Sequence, residues 1–184
     1  MSIYAAYGTS LHPGQMARRA PHSPLITTGW LEGWRLTFGE CLPEPGGALA
    51  TLVEDAGQRV FVALYDLMEW DEPHLDFWQG ALETPRGGQH RLRGVSEDEY
   101  EDLRRRRALW SVAGDGRAYR KVTVRARTAD HGVVPAWAYV LDGYEGGMPS
   151  AIQLGELAVA AEKAGAPDWY VSELLARECL PTEL

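Results

Sequence analysis

The chain has 184 residues, 45% of them hydrophobic and 10% aromatic, enough for one domain with a substantial core. Its 26 acidic against 18 basic side chains leave a net charge of -8, which argues against a general nucleic-acid binder. Two cysteines, Cys41 and Cys179, are too few for a disulfide framework and lack metal-ligand spacing. No apolar run approaches the roughly 18 residues of a membrane span. The N-terminus lacks the charged, apolar and small-residue succession of a secretory signal, so the expectation is a soluble cytoplasmic protein.

In chain order, residues 2–7 read as a short apolar strand broken by Gly8, and Pro13 suits the first turn of a short helix behind His12. The Ala20-Pro21 and Ser23-Pro24 steps force an extended passage. Strands are expected at 30–39, 48–54 and 59–67, the last two joined by the polar turn Asp55-Ala-Gly-Gln58. Trp30 and Trp34 fall on one strand face, toward the core. Asp71 is a plausible N-cap for a short helix over 72–80. A second hairpin is expected from 119–128 and 133–141, where Val122, Val124 and Ala126 alternate with charged and polar residues. Ser150 caps a helix through Lys163, ended by Gly165, and Asp168 caps another through about Arg177. Hairpin strands with short helices and a helical C-terminus make an α+β domain.

Residues 84–117 differ from their surroundings, with eight arginines and a capping-box helix signal from Ser96 and Glu99. Glu101 with Arg105 and Asp102 with Arg106 are i,i+4 pairs, as on a solvated helix face. The lesser reading is a lid or a partner-docking element.

A set of motifs then converges. Tyr4-Ala-Ala-Tyr-Gly-Thr-Ser-Leu11, Pro21-His-Ser-Pro-Leu25, Gly29-Trp-Leu-Glu-Gly-Trp-Arg-Leu36 and Gly47-Ala-Leu-Ala-Thr51 together resemble a γ-glutamylcyclotransferase-like protein of the actinobacterial type. Leu75-Asp-Phe-Trp-Gln-Gly80, Tyr119-Arg-Lys-Val122, Tyr144-Glu-Gly-Gly-Met-Pro-Ser150 and Ala164-Gly-Ala-Pro167 extend the resemblance over nearly the whole chain except 84–117. It implies one domain over 1–184, a small mixed β-barrel with flanking helices and a helical insertion at about 84–117. It also implies an amide-cleaving acyltransferase or lyase without cofactor or metal, whose partner is a small-molecule γ-glutamyl amide, with no nucleic acid and no membrane.

The implied reaction is internal acyl transfer: the α-amine of a γ-glutamyl amide attacks its own γ-carbonyl, releasing 5-oxoproline and a free amine. It needs a base for the α-ammonium, a grip on the bent substrate and stabilisation of an oxyanion. The resemblance assigns substrate binding to Tyr7, Gly8, Thr9, Ser10 and Leu11, whose successive N–H groups suit an anion nest, and to Ser150. It puts Gln79 where the family carries its catalytic glutamate, as a natural departure or as a Glu-to-Gln exchange. An amide cannot act as that base. Ser10 stands where family members usually have Asn and Gln153 where they often have Tyr, further marks of altered substrate or chemistry. Glu83, Glu145 and, less favourably, Glu40 are carboxylates that could replace the missing base. The alternative is a catalytically inactive ligand-binding or regulatory relative.

Other chemistries find less support. Cys41 and Cys179 have no neighbouring histidine and read as buried thiols. The five histidines show no ligand spacing, so no metal is expected, and His22 reads as structural.

Overall fold

The structure, a computed structural model, describes residues 2–41, 48–79, 119–141 and 146–181. Five strands form a closed barrel: β1 (Ser2–Ala6), β2 (Leu25–Cys41), β3 (Ala48–Leu67), β4 (Arg120–Thr128) and β5 (Gly132–Val140), in the order β1-β3-β2-β4-β5. Neighbours are antiparallel except at the closure, where β1 meets β5 in parallel at Tyr4 and Trp137. Among the described residues four α-helices flank it: α1 (Pro13–Arg19), α2 (Glu72–Gln79), α3 (Ala151–Lys163) and α4 (Asp168–Leu175). This is the α+β mixed barrel that the sequence implies. The inserted stretch at 84–117 lies outside the described residues.

The β4–β5 hairpin follows the alternation of its sequence. Val124, Ala126 and Thr128 are buried while Thr123, Arg125 and Arg127 face solvent. Thr128 Oγ1 accepts from the His131 amide and donates to the Gly132 carbonyl, closing the turn at a glycine with φ 64°.

The stretch 48–67 corrects the expected pair of strands. It is one strand of 20 residues, and Asp55-Ala-Gly-Gln58 is a bulge within it rather than a hairpin turn. The reason is the partner. β2 is 17 residues long and runs beside both halves, pairing Trp34 with Glu54 and Glu32 with Arg59, so that 55–58 bow outward. Asp55 holds the bulge, accepting from the Gly57 amide at 3.2 Å and from Arg35 Nε at 3.1 Å. Gly33 opposite has φ 80°, a conformation that favours glycine.

Leu31, Val60, Val62, Leu64, Ala126 and Ala138 fill the core, and α3 covers it with Leu154, Leu157 and Ala161. Trp30 and Trp34 are only partly buried against this core. Trp30 stacks on Trp169 of α4 at 5.3 Å, with Arg59 over both rings. Ser150 caps α3 as its position suggests, accepting from the Gln153 amide at 3.1 Å, and Gly165 follows the helix with φ 83°. For α4 the cap shifts by one residue: Pro167 is the N-cap and Asp168 stands in the first turn. Its carboxylate there complements the positive helix end. Cys179 is a partly buried free thiol, half-covered rather than fully inside. The side chains of Glu40 and Cys41 lie outside those described. Among the described residues no helix is long and apolar enough to cross a membrane.

Candidate functional site

The chain leaves β1 at Tyr7 and turns at Gly8, whose φ of 61° suits a residue without Cβ. A 3-10 turn, Gly8–Leu11, then points Ser10 toward the barrel mouth. Helix α2 approaches the same place from a fixed base. Asp71, just before it, is buried at 3% exposure and accepts from the His22 amide at 2.8 Å and from Ser23 Oγ at 2.7 Å. Its other oxygen pairs with His22 Nδ1 at 2.9 Å, so the carboxylate ties α2 to the 20–24 loop. Burial alone would raise the Asp71 pKa. The hydrogen bonds from His22 and Ser23 outweigh it and hold the group below the ordinary carboxylate value. His22 is thus structural, as its motif suggests.

At the far end of α2, Gln79 Nε2 donates to Ser10 Oγ at 3.0 Å, and Arg19 Nη1 approaches the same oxygen at 3.4 Å. Gln79, Gly8, Thr9 and Ser10 line a small cleft of about 50 Å³ with Ala50 and four tyrosines, Tyr4, Tyr7, Tyr119 and Tyr139. That is space for a few waters or one small head group. A wider open groove of about 370 Å³ lies between the 55–58 bulge and α4, lined by Arg59, Trp169 and Glu173. It contains neither Gln79 nor the turn after β1, and the smaller cleft is the candidate site.

The phenols differ in what they hold. Tyr7 donates to the Tyr139 carbonyl at 2.5 Å and Tyr119 to the Ala50 carbonyl at 2.7 Å. Tyr139 donates to Asp76 Oδ1 in a short contact. Burial pushes Tyr4 up to about 12, in spite of its hydrogen bond with Ser10, and raises Tyr7 and Tyr119. Burial, followed by Tyr4 and Asp76, raises Tyr139 as well. At neutral pH all four are protonated.

Behind Tyr139 lies a charged cluster. Asp76 is 8% exposed and its Oδ2 accepts from Lys121 Nζ at 2.9 Å. Lys121 also reaches Glu72 at 2.5 Å and sits 4.6 Å from the centre of the Trp137 ring. Burial disfavours the lysine charge, but Asp76 and Glu72 outweigh it and keep the Lys121 pKa above its usual value.

The structure therefore brings Tyr7, Gly8, Thr9, Ser10 and Gln79 to one cleft. Leu11 is buried in the core at 1% exposure and Ser150 caps α3; neither is among the lining residues. Gln153 binds the Ala48 backbone at both ends of its amide: Oε1 accepts from the amide nitrogen at 3.2 Å and Nε2 donates to the carbonyl. Glu83 and Glu145 lie outside the described residues. Sequence reasoning missed Asp76, Tyr4, Tyr119 and Tyr139. Asp76 had a readable signal, standing three residues before Gln79 and hence on the same helix face. Among the described residues the cleft lining holds no carboxylate, and no cluster of three metal-ligating side chains occurs.

Comparison with known proteins places this barrel. Residues 113–174 match the AIG2-like family. A solved γ-glutamyl cyclotransferase superposes with a TM-score of 0.71 at 19% identity, covering 100% of this chain and 92% of its own. An uncharacterised protein from Homo sapiens gives a TM-score of 0.71 at 18% identity, with 99% and 90% covered. YkqA from Bacillus subtilis gives 0.58 at 15%, covering 98% of this chain and 56% of its own. No curated protein sequence matches the chain. The chain thus has the γ-glutamyl cyclotransferase-like fold, with the AIG2-like sequence pattern in its C-terminal part.

Proposed function

We propose that this cleft binds the amino-acid head of a γ-glutamyl amide and that the chain carries out a cyclotransferase-type reaction, internal acyl transfer to 5-oxoproline with release of the amine. One observation carries the reading: Gln79, at the position of the family's catalytic glutamate, meets Ser10 of the turn after β1 at 3.0 Å. In this arrangement the N–H groups of the turn face the developing oxyanion or the substrate carboxylate. Gln79 donates to Ser10, which leaves its Oε1 to accept from the substrate ammonium and orient it. The partner is a small molecule, and the chemistry calls for no cofactor. The fold and the position of Gln79 support this reading.

The test is release of 5-oxoproline from a panel of γ-glutamyl amines by the purified protein. No product from any of them counts against the reading.

A second reading has its own support. No carboxylate lines the cleft among the described residues, which suits a relative that binds γ-glutamyl ligands without turning them over. It requires a calorimetric binding signal with no product, and any measurable turnover ends it.

A further inference from the structure

We propose that Asp76, acting through Tyr139, is the proton acceptor of this cleft, the role that Gln79 cannot fill. The inference rests on the cyclotransferase-type reading above and adds the residues that would move the proton.

The hydroxyl contacts single out Tyr139. Tyr7 and Tyr119 give their protons to backbone carbonyls, which are too weakly basic to keep one. Tyr4 is bonded with Ser10, another hydroxyl. Among the described lining residues, Tyr139 alone has its hydroxyl bonded to a carboxylate. Because its O–H is committed to Asp76, its oxygen keeps lone pairs for a donor in the cleft. Asp76 is one turn before Gln79 on α2, so the oriented substrate ammonium and the carboxylate stand on one face of the same helix. Around Asp76, Lys121 from β4 pairs with both its carboxylate and that of Glu72 on the same helix, and Tyr139 from β5, whose ring packs against the buried Tyr4 from β1, donates to it.

The protons balance. The substrate ammonium gives one proton to Tyr139 Oη as the Tyr139 hydroxyl proton passes to Asp76 Oδ1. The freed amine attacks the γ-carbonyl carbon, the new C–N bond closes the lactam, and the bond to the leaving nitrogen breaks. The attacking nitrogen sheds its second proton to the leaving amine. Asp76 returns the first through Tyr139, and the product leaves as an ammonium. The protein ends unchanged. Tyr139 touches the substrate in this scheme, and Asp76 acts through it.

The experiment measures 5-oxoproline release by the full chain and by Asp76→Asn, Tyr139→Phe and the double variant, across pH, with binding of γ-glutamyl amides measured alongside. Each single variant should lose about 10²-fold or more near neutral pH, within the range of a positioned base, and keep its KM. The double variant should be no worse than either single. The loss should shrink in alkaline solution, where the substrate amine is already neutral. A loss equal at every pH, or losses that multiply, would assign the pair a purely structural role and overturn the proposal. Tyr139→Phe keeps the Asp76–Lys121 pair, so if Asp76→Asn does not fold, an unchanged rate for Tyr139→Phe is sufficient to overturn it. Loss of activity in Glu145→Gln or Glu83→Gln equal to that of Tyr139→Phe would move the acceptor elsewhere. A wild-type chain that binds γ-glutamyl amides and releases no 5-oxoproline at any pH overturns the cyclotransferase reading itself, and the relay with it.

Discussion

The side-chain amide of Gln79, at the end of α2, donates to the hydroxyl of Ser10 in the turn after β1, Nε2 to Oγ at 3.0 Å. The two segments are brought together by the barrel, and the contact places an amide where the proposed reaction could use a carboxylate. A glutamate in the same place accepts from the Ser10 hydroxyl and can also take a proton directly. Gln79→Glu should therefore raise 5-oxoproline release from γ-glutamyl amides by at least roughly tenfold, with the roughly 10²–10⁴ of a fully positioned general base as the upper range. Chromatographic product release at matched enzyme concentration measures it. An unchanged rate in a folded, ligand-binding variant means that the site has been redirected.

Gln153 pins α3 to the first residue of β3 through both ends of its amide, and Ala48 is fully buried. Truncation to alanine leaves a buried N–H and C=O without that partner, at a cost of about 1–3 kcal/mol. Gln153→Glu keeps the shape but puts an acceptor against the Ala48 carbonyl, so it should cost at least as much. Urea unfolding should show a lower midpoint with unchanged slope for both.

Gly8→Ala tests the turn. A Cβ would meet Leu157 and Ala50 at 3.5 and 3.7 Å, ordinary contact distances, so the penalty comes from the backbone φ of 61° rather than from crowding. The expected destabilisation is about 1–2 kcal/mol. Because relaxing that φ moves Ser10 away from Gln79, KM for a γ-glutamyl amide should rise as well. A thermal midpoint and a KM equal to wild type would contradict the role given to this glycine.

Asp71 gives the fold a defined acid sensitivity. Its folded pKa lies below the unfolded value of 3.8, so between the two the unfolded chain binds more protons. The stabilisation is complete above the unfolded value and is lost as pH falls through the folded one. Asp71→Asn should lower stability at neutral pH and flatten its decline in acid, as read from denaturant midpoints at a series of pH values. Parallel curves for variant and wild type would assign the acid sensitivity to other groups.

Local pattern and long-range pairing were unequally visible. The β4–β5 hairpin was legible because Val124 and Ala126 alternate with Arg125 and Arg127, a signal carried within the strand itself. The bulge at 55–58 was not, since a polar Asp-Ala-Gly-Gln stretch reads locally as a turn and only the length of β2 opposite makes it a bulge. In the cleft, Gln79 and the Tyr7-to-Ser10 turn could be placed by resemblance. Tyr139 and Asp76 could not, because their contact joins β5 to α2 across the barrel and depends on the register at closure.

That closure also orders events in time. β1 has β3 and β5 as its neighbours, and the Tyr7 hydroxyl bond to the Tyr139 carbonyl spans 132 residues. Nothing made before residue 132 can seat the parallel edge of β1, so β1 waits for its last partner until β5 has emerged. Non-local pairing of this kind makes folding slow compared with helical domains of similar size. The turn that presents Ser10 follows directly from β1, and Tyr139 belongs to β5. On a growing chain the cleft is therefore assembled late, and a product that stops short of β5 lacks the Tyr139 wall of the cleft altogether.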